Sequence, residues 1–402
     1  MTRDRTAGDR TATSGCPFPF PEHAGVEPAP EFRALAHGER LVPATLRSGV
    51  SALLVHRHED MRQVLTDSAF ARFPASGFGL SARSPESLAL NSVDPPDHTR
   101  RRQVVAHAFT AERATVLRPY VEELASDLAA AMRDRSGPAD FLADFAVPLT
   151  VGVIGRVFGL PESDVRRLLP LVERMMSTTA YSKSEVQSAH DAMFAEFEKF
   201  LAGPHADPEG LFGRIARVTQ EGDLAPDEAV HLAYGLLIAA HETTANQLGL
   251  CVLLLQRDRE LTERLRARPE LMPAAVSEML RYTSLNAAGG VPHVVQRPVR
   301  LGGTELEPGT VVLPVTDGAN RDPEVFPEPD TLNVDRPVNP HLALGHGRHR
   351  CLGAPLAQME LEVALGALQR LLPHLTLAVP EEELEWRSGM YIRGVRKLPV
   401  TW

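Results

Sequence analysis

A chain of 402 residues with 43% hydrophobic content can build a large core, and its length alone would suggest two or three domains. The formal net charge of −10 and a pI near 5.9 argue against nucleic acid as a general partner. No apolar run approaches the ~18 to 20 residues that span a bilayer, the N-terminus lacks a signal-peptide pattern, and three widely spaced cysteines (Cys16, Cys251, Cys351) form no disulfide framework and suit a reducing cytoplasm.

Residues 1–15 are polar, which predicts a disordered tail. Cys16-Pro17-Phe18-Pro19-Phe20-Pro21 excludes regular helix because proline lacks the N–H. Leu41 to Val55 reads as two strands about a Ser48-Gly49 turn, and His58 to Leu65 as a short helix. Phe70 to Ser92 is broken by Pro74, Gly77, Gly79 and Pro85; loops of this length are usually functional or mobile. Asp94-Pro95-Pro96 then opens a helix with Asp94 as its expected cap. His98 and Arg102 lie four apart on one face of it, and Arg100 and Arg101 complete a basic run that, alone, is also what a solvated face looks like. Amphipathic helices are predicted over Arg113–Arg133, Phe141–Phe158, Glu162–Ser177 and about Ser184–Leu201.

Asp227 to about Arg257 carries the longest helical pattern. Within it, Ala239-Ala240-His241-Glu242-Thr243-Thr244 places polar groups where they cost helix propensity. A threonine there can bond back to the carbonyl four residues earlier and loosen the turn. Glu278 and Arg281 form an i,i+3 pair on a later helix. Gly289 to Val295 begins a run of short strands, and Leu375–Val379 and Glu385–Pro399 read as terminal strands. Between these, Leu344-Gly345-His346-Gly347-Arg348-His349-Arg350-Cys351-Leu352-Gly353-Ala354 is a glycine-punctuated loop ahead of an apolar-periodic helix from Pro355 to about Leu372. Backbone N–H groups at that helix start, with Arg348 and Arg350, favour thiolate over thiol. The glycines let the main chain fold tightly around the sulfur and approach something flat and bulky. A thiolate held this way is a good iron ligand. Taken alone, it is also what a buried cysteine at a helix start looks like. Zinc fits poorly, since His346, His349 and Cys351 lack a matching second ligand pair.

The loop from Leu344 to Gly353 resembles the haem-ligand signature of the cytochrome P-450 family, Phe-Gly-x-Gly-x-His-x-Cys-x-Gly, with Leu344 in place of the phenylalanine. Ala239 to Thr244 resembles that family's oxygen-activation motif, with Ala240 where glycine is usual. Glu278 and Arg281, with Arg336 in the Pro329–Pro337 meander, resemble its buried structural pair, and Asn320-Arg321-Asp322-Pro323 also matches. The resemblance covers nearly the whole chain and implies a mainly α fold with small β-sheets (α+β), one haem-enclosing domain over 16–402. It implies haem b, with Cys351 as the iron ligand and cofactor contacts from His98, Arg102, Ala239, Thr243, His293, Leu344, Gly345, His349 and Gly353. His98 and Arg102 match the pair that binds haem propionates, and His293 stands where many relatives carry a propionate-binding arginine. Glu242 and Thr243 would manage protons for iron-bound dioxygen. Phe70–Ser92, Ser177–Lys183 and Ser388–Tyr391 correspond to segments that enclose or admit substrate.

The implied activity is a cytoplasmic, monomeric monooxygenase that hydroxylates or epoxidises a moderately large, mostly apolar small molecule with O2. Electrons would come through a ferredoxin docking on Arg100, Arg101, Arg348 and Arg350, because no flavin or nicotinamide domain fits in this length. Two competing readings remain. A non-enzymatic auxiliary protein of this fold would be expected to lack the cysteine or the acid–threonine pair, and a haem-based gas sensor would carry an output domain.

Overall fold

The computed structural model describes residues 15–36, 38–72, 89–135, 137–203, 208–287 and 289–402. The tail expected over 1–15 and the middle of the Phe70–Ser92 stretch therefore lie almost wholly outside the described residues. The helices are α1 (Glu31–Leu35), α2 (His58–Thr66), α3 (Asp97–Val105), α4 (Ala111–Arg133), α5 (Val147–Phe158), α6 (Glu162–Met175) and α7 (Lys183–Ala202). They continue as α8 (Leu211–Gln220), α9 (Pro226–Arg257), α10 (Arg259–Ala267), α11 (Met272–Tyr282), α12 (Thr316–Ala319) and α13 (Ala354–Leu371). The strands are short: β1 (Cys16–Phe18), β2 (Leu41–Leu46), β3 (Ser51–Val55), β4 (Phe70–Arg72), β5 (Ala139–Asp140) and β6 (His293–Val295). After them come β7 (Val299–Leu301), β8 (Thr304–Leu306), β9 (Val311–Pro314), β10 (Thr376–Leu377) and β11 (Pro399–Thr401).

The expected α+β architecture is present. One six-stranded sheet runs β1-β2-β3-β9-β6-β4, and two smaller ones run β10-β11-β5 and β7-β8. Within the large sheet, β4 pairs antiparallel with β6 so that Arg72 faces His293 across the ladder.

Local chemistry sets the helix ends. Thr110 caps α4 by accepting from Arg113 N–H, and Ser182 with Glu185 forms a capping box at α7. Gly159, at φ 75°, ends α5 in the left-handed conformation that glycine adopts without a Cβ penalty. The expected helix over Phe141–Phe158 is real but opens with a π-helical turn at Leu142–Ala146. Pro148 has no N–H to continue the ordinary ladder, so Val147 N–H reaches back five residues to Leu142 O.

α9 runs 32 residues through the main apolar core, against α5, α7 and α13. At about 1.5–3 kcal/mol for each buried Leu, Val or Phe, such burial dominates its stability over propensity. Between Ala229 and Leu255 only Gly235, Leu236, Ala239, Ala240 and Thr243 escape full burial. These fall on one face by helical spacing, and all five border the same cavity.

Two expectations are corrected here. Asp94 does not cap α3, whose N-cap is Pro96 without a side-chain bond. Its carboxylate instead accepts from Arg72 N–H at 2.6 Å. The strand expected over Glu385–Pro399 begins only at Pro399, in β11: the residues before it are looped, held by isolated bridges such as Trp386 to Val395, with Gly389 turning at φ 70°. The carbonyl of Gly389 accepts from the N–H groups of Thr178, Thr179 and Ala180 at 2.7 to 3.1 Å, docking this loop on the α6–α7 connection.

The Glu278–Arg281 pair is fully buried, as the resemblance implied. Arg281 donates twice to Glu278 and also to the carbonyls of Asn320, Pro329 and Thr331, while Arg336 donates to Glu278 at 3.0 Å. Every strong donor in this buried network has a partner, which is what makes such charges tolerable. The Pro329–Pro337 meander is thereby tied to α11.

Candidate active site

The cysteine loop closes on itself through Cys351 N–H donating to Leu344 O at 2.7 Å and Gly345 N–H to Leu342 O at 2.9 Å. Gly347, at φ 66°, lies so close to α2 that a Cβ would sit 2.5 Å from Leu65 O. Gly353 differs: the nearest atom to a Cβ there is a Phe109 ring carbon at 4.0 Å, because the position faces the cavity. That cavity lies between the cysteine loop with the start of α13 on one side and the open face of α9 on the other. It holds about 250 Å³ of water-accessible space.

Of the residues singled out in the sequence, His98, Arg102, Ala239, Thr243, His349, Cys351 and Gly353 border this cavity. Leu344, Gly345 and His293 do not. Leu344 packs against the main core, Gly345 makes the turn, and His293 pairs with Arg72 across the neighbouring strand, its buried Nδ1 also without a partner among the described residues.

The Cys351 thiol is pushed up by burial, against the pull of Gly353 N–H and the charges of Arg102 and Arg350. The expected help from Arg348 is absent, because its guanidinium reaches away to the carbonyls of Asp67 and Phe70. Arg102 donates to Arg350 O at 3.0 Å and so ties α3 to the loop.

Along one edge the cavity has a cluster of nitrogen donors. The rings of His98 and His349 lie 4.2 Å apart; among the described residues, buried Nε2 of His98 and Nε of Arg72 have no hydrogen-bond partner, and Nε2 of His349 has none nearer than Asp94 Oδ1 at 3.6 Å. Burial and the neighbouring cations lower His98 to about 4, and burial lowers Arg72 to about 10. Burial also tends to raise Asp94, but His349, Arg72 N–H and Arg348 outweigh it and hold the carboxyl at about 2. Buried donors left unpaired are costly, so this edge is built for an anionic group. A flat cofactor carrying two carboxylates and a metal open to a thiolate fits these residues. Arg72 is a site residue that motif reading missed; its place comes from pairing with His293 across 221 positions of sequence, not from a local pattern.

On the α9 wall, Thr243 Oγ1 donates to Ala239 O at 2.6 Å, the back-bond expected from its position. Glu242 lies elsewhere, because one residue along a helix turns about 100°. It points into a second cavity behind α9, lined by Leu142, Leu169, Glu173, His241 and Arg387 among others. There Oε1 ion-pairs with Arg387 at 2.5 Å, and Oε2 has no hydrogen-bond partner among the described residues. Burial raises the Glu242 pKa, and Arg387 opposes this without cancelling it. Glu173, half-exposed, stands 3.8 Å from the same guanidinium. His241 is held by Thr150 at 2.9 Å and lowered by burial to about 4. A second missed residue is Glu360 of α13, which borders the front cavity; burial alone raises it to about 8. Its signal was an acid inside an apolar helix stripe.

The four arginines expected to meet a ferredoxin do not form one patch. Arg101 is 3% exposed and, with Arg100, is bound to Glu228 at 2.6 to 2.7 Å. Glu228 lies 127 positions after Arg101, so the basic run in the sequence concealed its neutralisation. Arg350 is exposed beside Cys351.

A cysteine thiol facing a threonine-bearing helix turn, across a cavity edged by unpaired donors, defines a haem-thiolate site. The family model described as Cytochrome P450 matches residues 164–388. The chain is 38% identical to the mycinamicin IV hydroxylase/epoxidase of Micromonospora griseorubida, covering 96% of this chain and 98% of that one. It is 36% identical to the nocardicin C N-oxygenase of Nocardia uniformis subsp. tsuyamanensis, covering 98% and 100%. Among solved structures, HinD with NMFT and NO superposes at a TM-score of 0.92 with 39% identity over 97% of this chain and 100% of that one. The mixed-function P450 MycG does so at 0.86 with 37% identity, over 97% and 100%.

The chain belongs to the cytochrome P450 family. It is a bacterial monooxygenase, and its cofactor is haem b. Among the described residues, no single helix is long and apolar enough to cross a membrane.

Proposed function

We propose that this monooxygenase hydroxylates or epoxidises a moderately large, mostly apolar metabolite in the cytoplasm, with O2 and with electrons passed from a reductase through a ferredoxin. The relatives that act on mycinamicin IV and nocardicin C support a metabolite substrate. The cavity wall supports its apolar character, since Leu90, Leu232, Leu236 and Ala240 contribute to it.

Cys351 ligates the iron as thiolate, with Gly353 N–H and the Arg102 and Arg350 charges favouring the anion. His98, Arg102, His349 and Arg72 hold the cofactor's two carboxylates, and His293 backs Arg72. Bound there, thiolate-ligated haem supplies dioxygen activation, and the protein supplies orientation and protons. Thr243 presents its hydroxyl to the cavity. Glu242 takes protons from the rear cavity and carries them to the Thr243 side on leaving Arg387, with Glu173 taking over the guanidinium. The ferredoxin docks over Arg350, the exposed residue of the ligand loop beside Cys351.

The observation that carries this reading is the opposition of Cys351 to the Ala239–Thr243 turn across a donor-edged cavity. Its test is the reduced carbon monoxide spectrum. The parent should show the long-wavelength Soret band of thiolate ligation, and Cys351→His should keep haem but lose that band. A parent spectrum without the band removes the reading.

A further inference from the structure

A histidine buried midway along an apolar helix has two ring nitrogens to satisfy, and His241 of α9 divides them between two surroundings. Burial, with the Arg387 charge nearby, lowers the ring to about 4, so it is neutral and carries a single N–H. Its Nδ1 lies 2.9 Å from Thr150 Oγ1 on α5. That hydroxyl also lies 3.1 Å from Val147 O, the carbonyl three residues back. A carbonyl only accepts, so the one hydroxyl proton goes to Val147 O, and the ring proton belongs on Nδ1, donated to Thr150. Nε2 is then a bare acceptor.

His241 borders the rear cavity, and with Nδ1 turned to α5, Nε2 is the nitrogen left for it. That cavity holds about 350 Å³ of water-accessible space. Glu242, the next residue, borders the same space, and its buried Oε2 has no hydrogen-bond partner among the described residues. Room for water beside polar atoms that need partners is what an ordered water requires. The tautomer decides what such a water can do. Facing a bare Nε2, it donates one hydrogen to the ring and keeps the other for a carboxylate, with its oxygen open to the next water. Facing an N–H, it would have to accept from the ring instead.

We propose that His241 is a positioning residue for proton delivery: its bare Nε2, fixed in that form by Thr150, holds the water from which Glu242 draws its protons. The inference rests on the reading of Glu242 given above and names what supplies that carboxylate.

The test uses the holoenzyme and two readouts. In the diamagnetic ferrous carbon monoxide form, ring 15N resonances of histidine-labelled protein should show His241, assigned by its loss in a His241 variant, as the neutral Nδ1–H tautomer. Thr150→Val should move that proton to Nε2. The second readout is substrate-free turnover with a plant-type ferredoxin and its reductase. Two electrons and two protons reduce O2 to peroxide, and four of each give two waters, so NAD(P)H consumed beyond the peroxide released measures water formed. His241→Asn keeps a donor to Thr150 but has nothing at the Nε2 position, whereas His241→Gln keeps an acceptor there. Water formation should fall about threefold or more in His241→Asn and Thr150→Val, well short of the ~10²-fold of a lost acid or base itself, and should stay near the parent value in His241→Gln. A parent with the proton on Nε2 would overturn the proposal. So would parental water formation in His241→Asn, or equal losses in the Asn and Gln variants, which would trace the effect to packing between α9 and α5. Water formation in Glu242→Gln equal to the parent's is a separate result, which strikes the reading of Glu242 itself.

Discussion

The two sides of α9 each face a cavity, and each cavity holds a buried glutamate. In front, Glu360 stands on α13 with burial the sole influence on it and a pKa near 8. Behind, Glu242 is bound to Arg387 at 2.5 Å, with Glu173 in reserve at 3.8 Å. The front wall of the helix is made of Gly, Ala, Leu and a Thr whose hydroxyl is tied to Ala239 O; the rear carries His241 and Glu242. The contrast separates two tasks. The front face of the helix is small and uncharged, while its titratable groups lie behind it, where an ion pair holds Glu242; under the reading proposed above, the front would take cofactor and substrate and the rear would exchange protons.

A large effect at any pH is expected from breaking the rear pair. Glu242→Ala leaves the mostly buried Arg387 with only the longer contact to Glu173, and the loss of stability should be about 3 kcal/mol. The double variant Glu242→Leu with Arg387→Met should cost far less, since two apolar groups replace two desolvated charges. Denaturant melts of the holoenzyme decide this. Equal losses in the single and double variants would show that the pair is not energetically coupled.

The front glutamate gives the opposite behaviour. A carboxyl whose folded pKa is raised to about 8 binds its proton more tightly folded than unfolded, so its penalty is absent at low pH. Stability is lost as pH climbs from the unfolded value towards 8, by up to about 4 kcal/mol between pH 5 and 8. Glu360→Gln should flatten that slope and melt above the parent at pH 8 but not at pH 5. Parallel curves for the two proteins would mean that Glu360 ionises freely.

Why the two faces were not both legible is a matter of distance along the chain. The cysteine loop, the His98–Arg102 pair and the Ala239–Thr244 motif are local, so their resemblance to family motifs could be read from short stretches of sequence. Glu242 and Thr243 look like one unit in the sequence, yet neighbouring residues on a helix point about 100° apart and here enter different cavities. Arg387 arrives from a loop 145 positions later, and the strand expected there gave no hint of it. Arg72 and Asp94 depend on strand pairing, and Arg101 on Glu228; no periodicity records such partners.

Thr243→Ala tests the front face with a smaller effect. Among the described residues the hydroxyl bonds only to Ala239 O of its own helix, so melting should change little. Product formation should fall about 10²-fold, as for loss of one proton-transfer group, with more peroxide released per NAD(P)H consumed. A variant as well coupled as the parent would shift proton delivery to another group, and Glu360 on the same cavity is the one to test next.

The smallest effect belongs to Ala240, where the family motif usually has glycine. Its methyl borders the front cavity one residue after Ala239, whose carbonyl already accepts from Thr243 Oγ1. Alanine favours the intact helix over glycine by roughly 0.8 to 1 kcal/mol, so this chain resists local opening at the turn where the threonine loosens it. Ala240→Gly should therefore lower the melting temperature by only about 1 °C, since a chain of this size melts with a large entropy. The same change frees space beside Thr243, and altered coupling with near-parental stability is the expected pair of results. If coupling and melting temperature both stay at the parent values, the methyl neither stiffens this turn nor narrows the space around Thr243. The front face would then owe its shape to Gly235 and Ala239 rather than to the departure at 240.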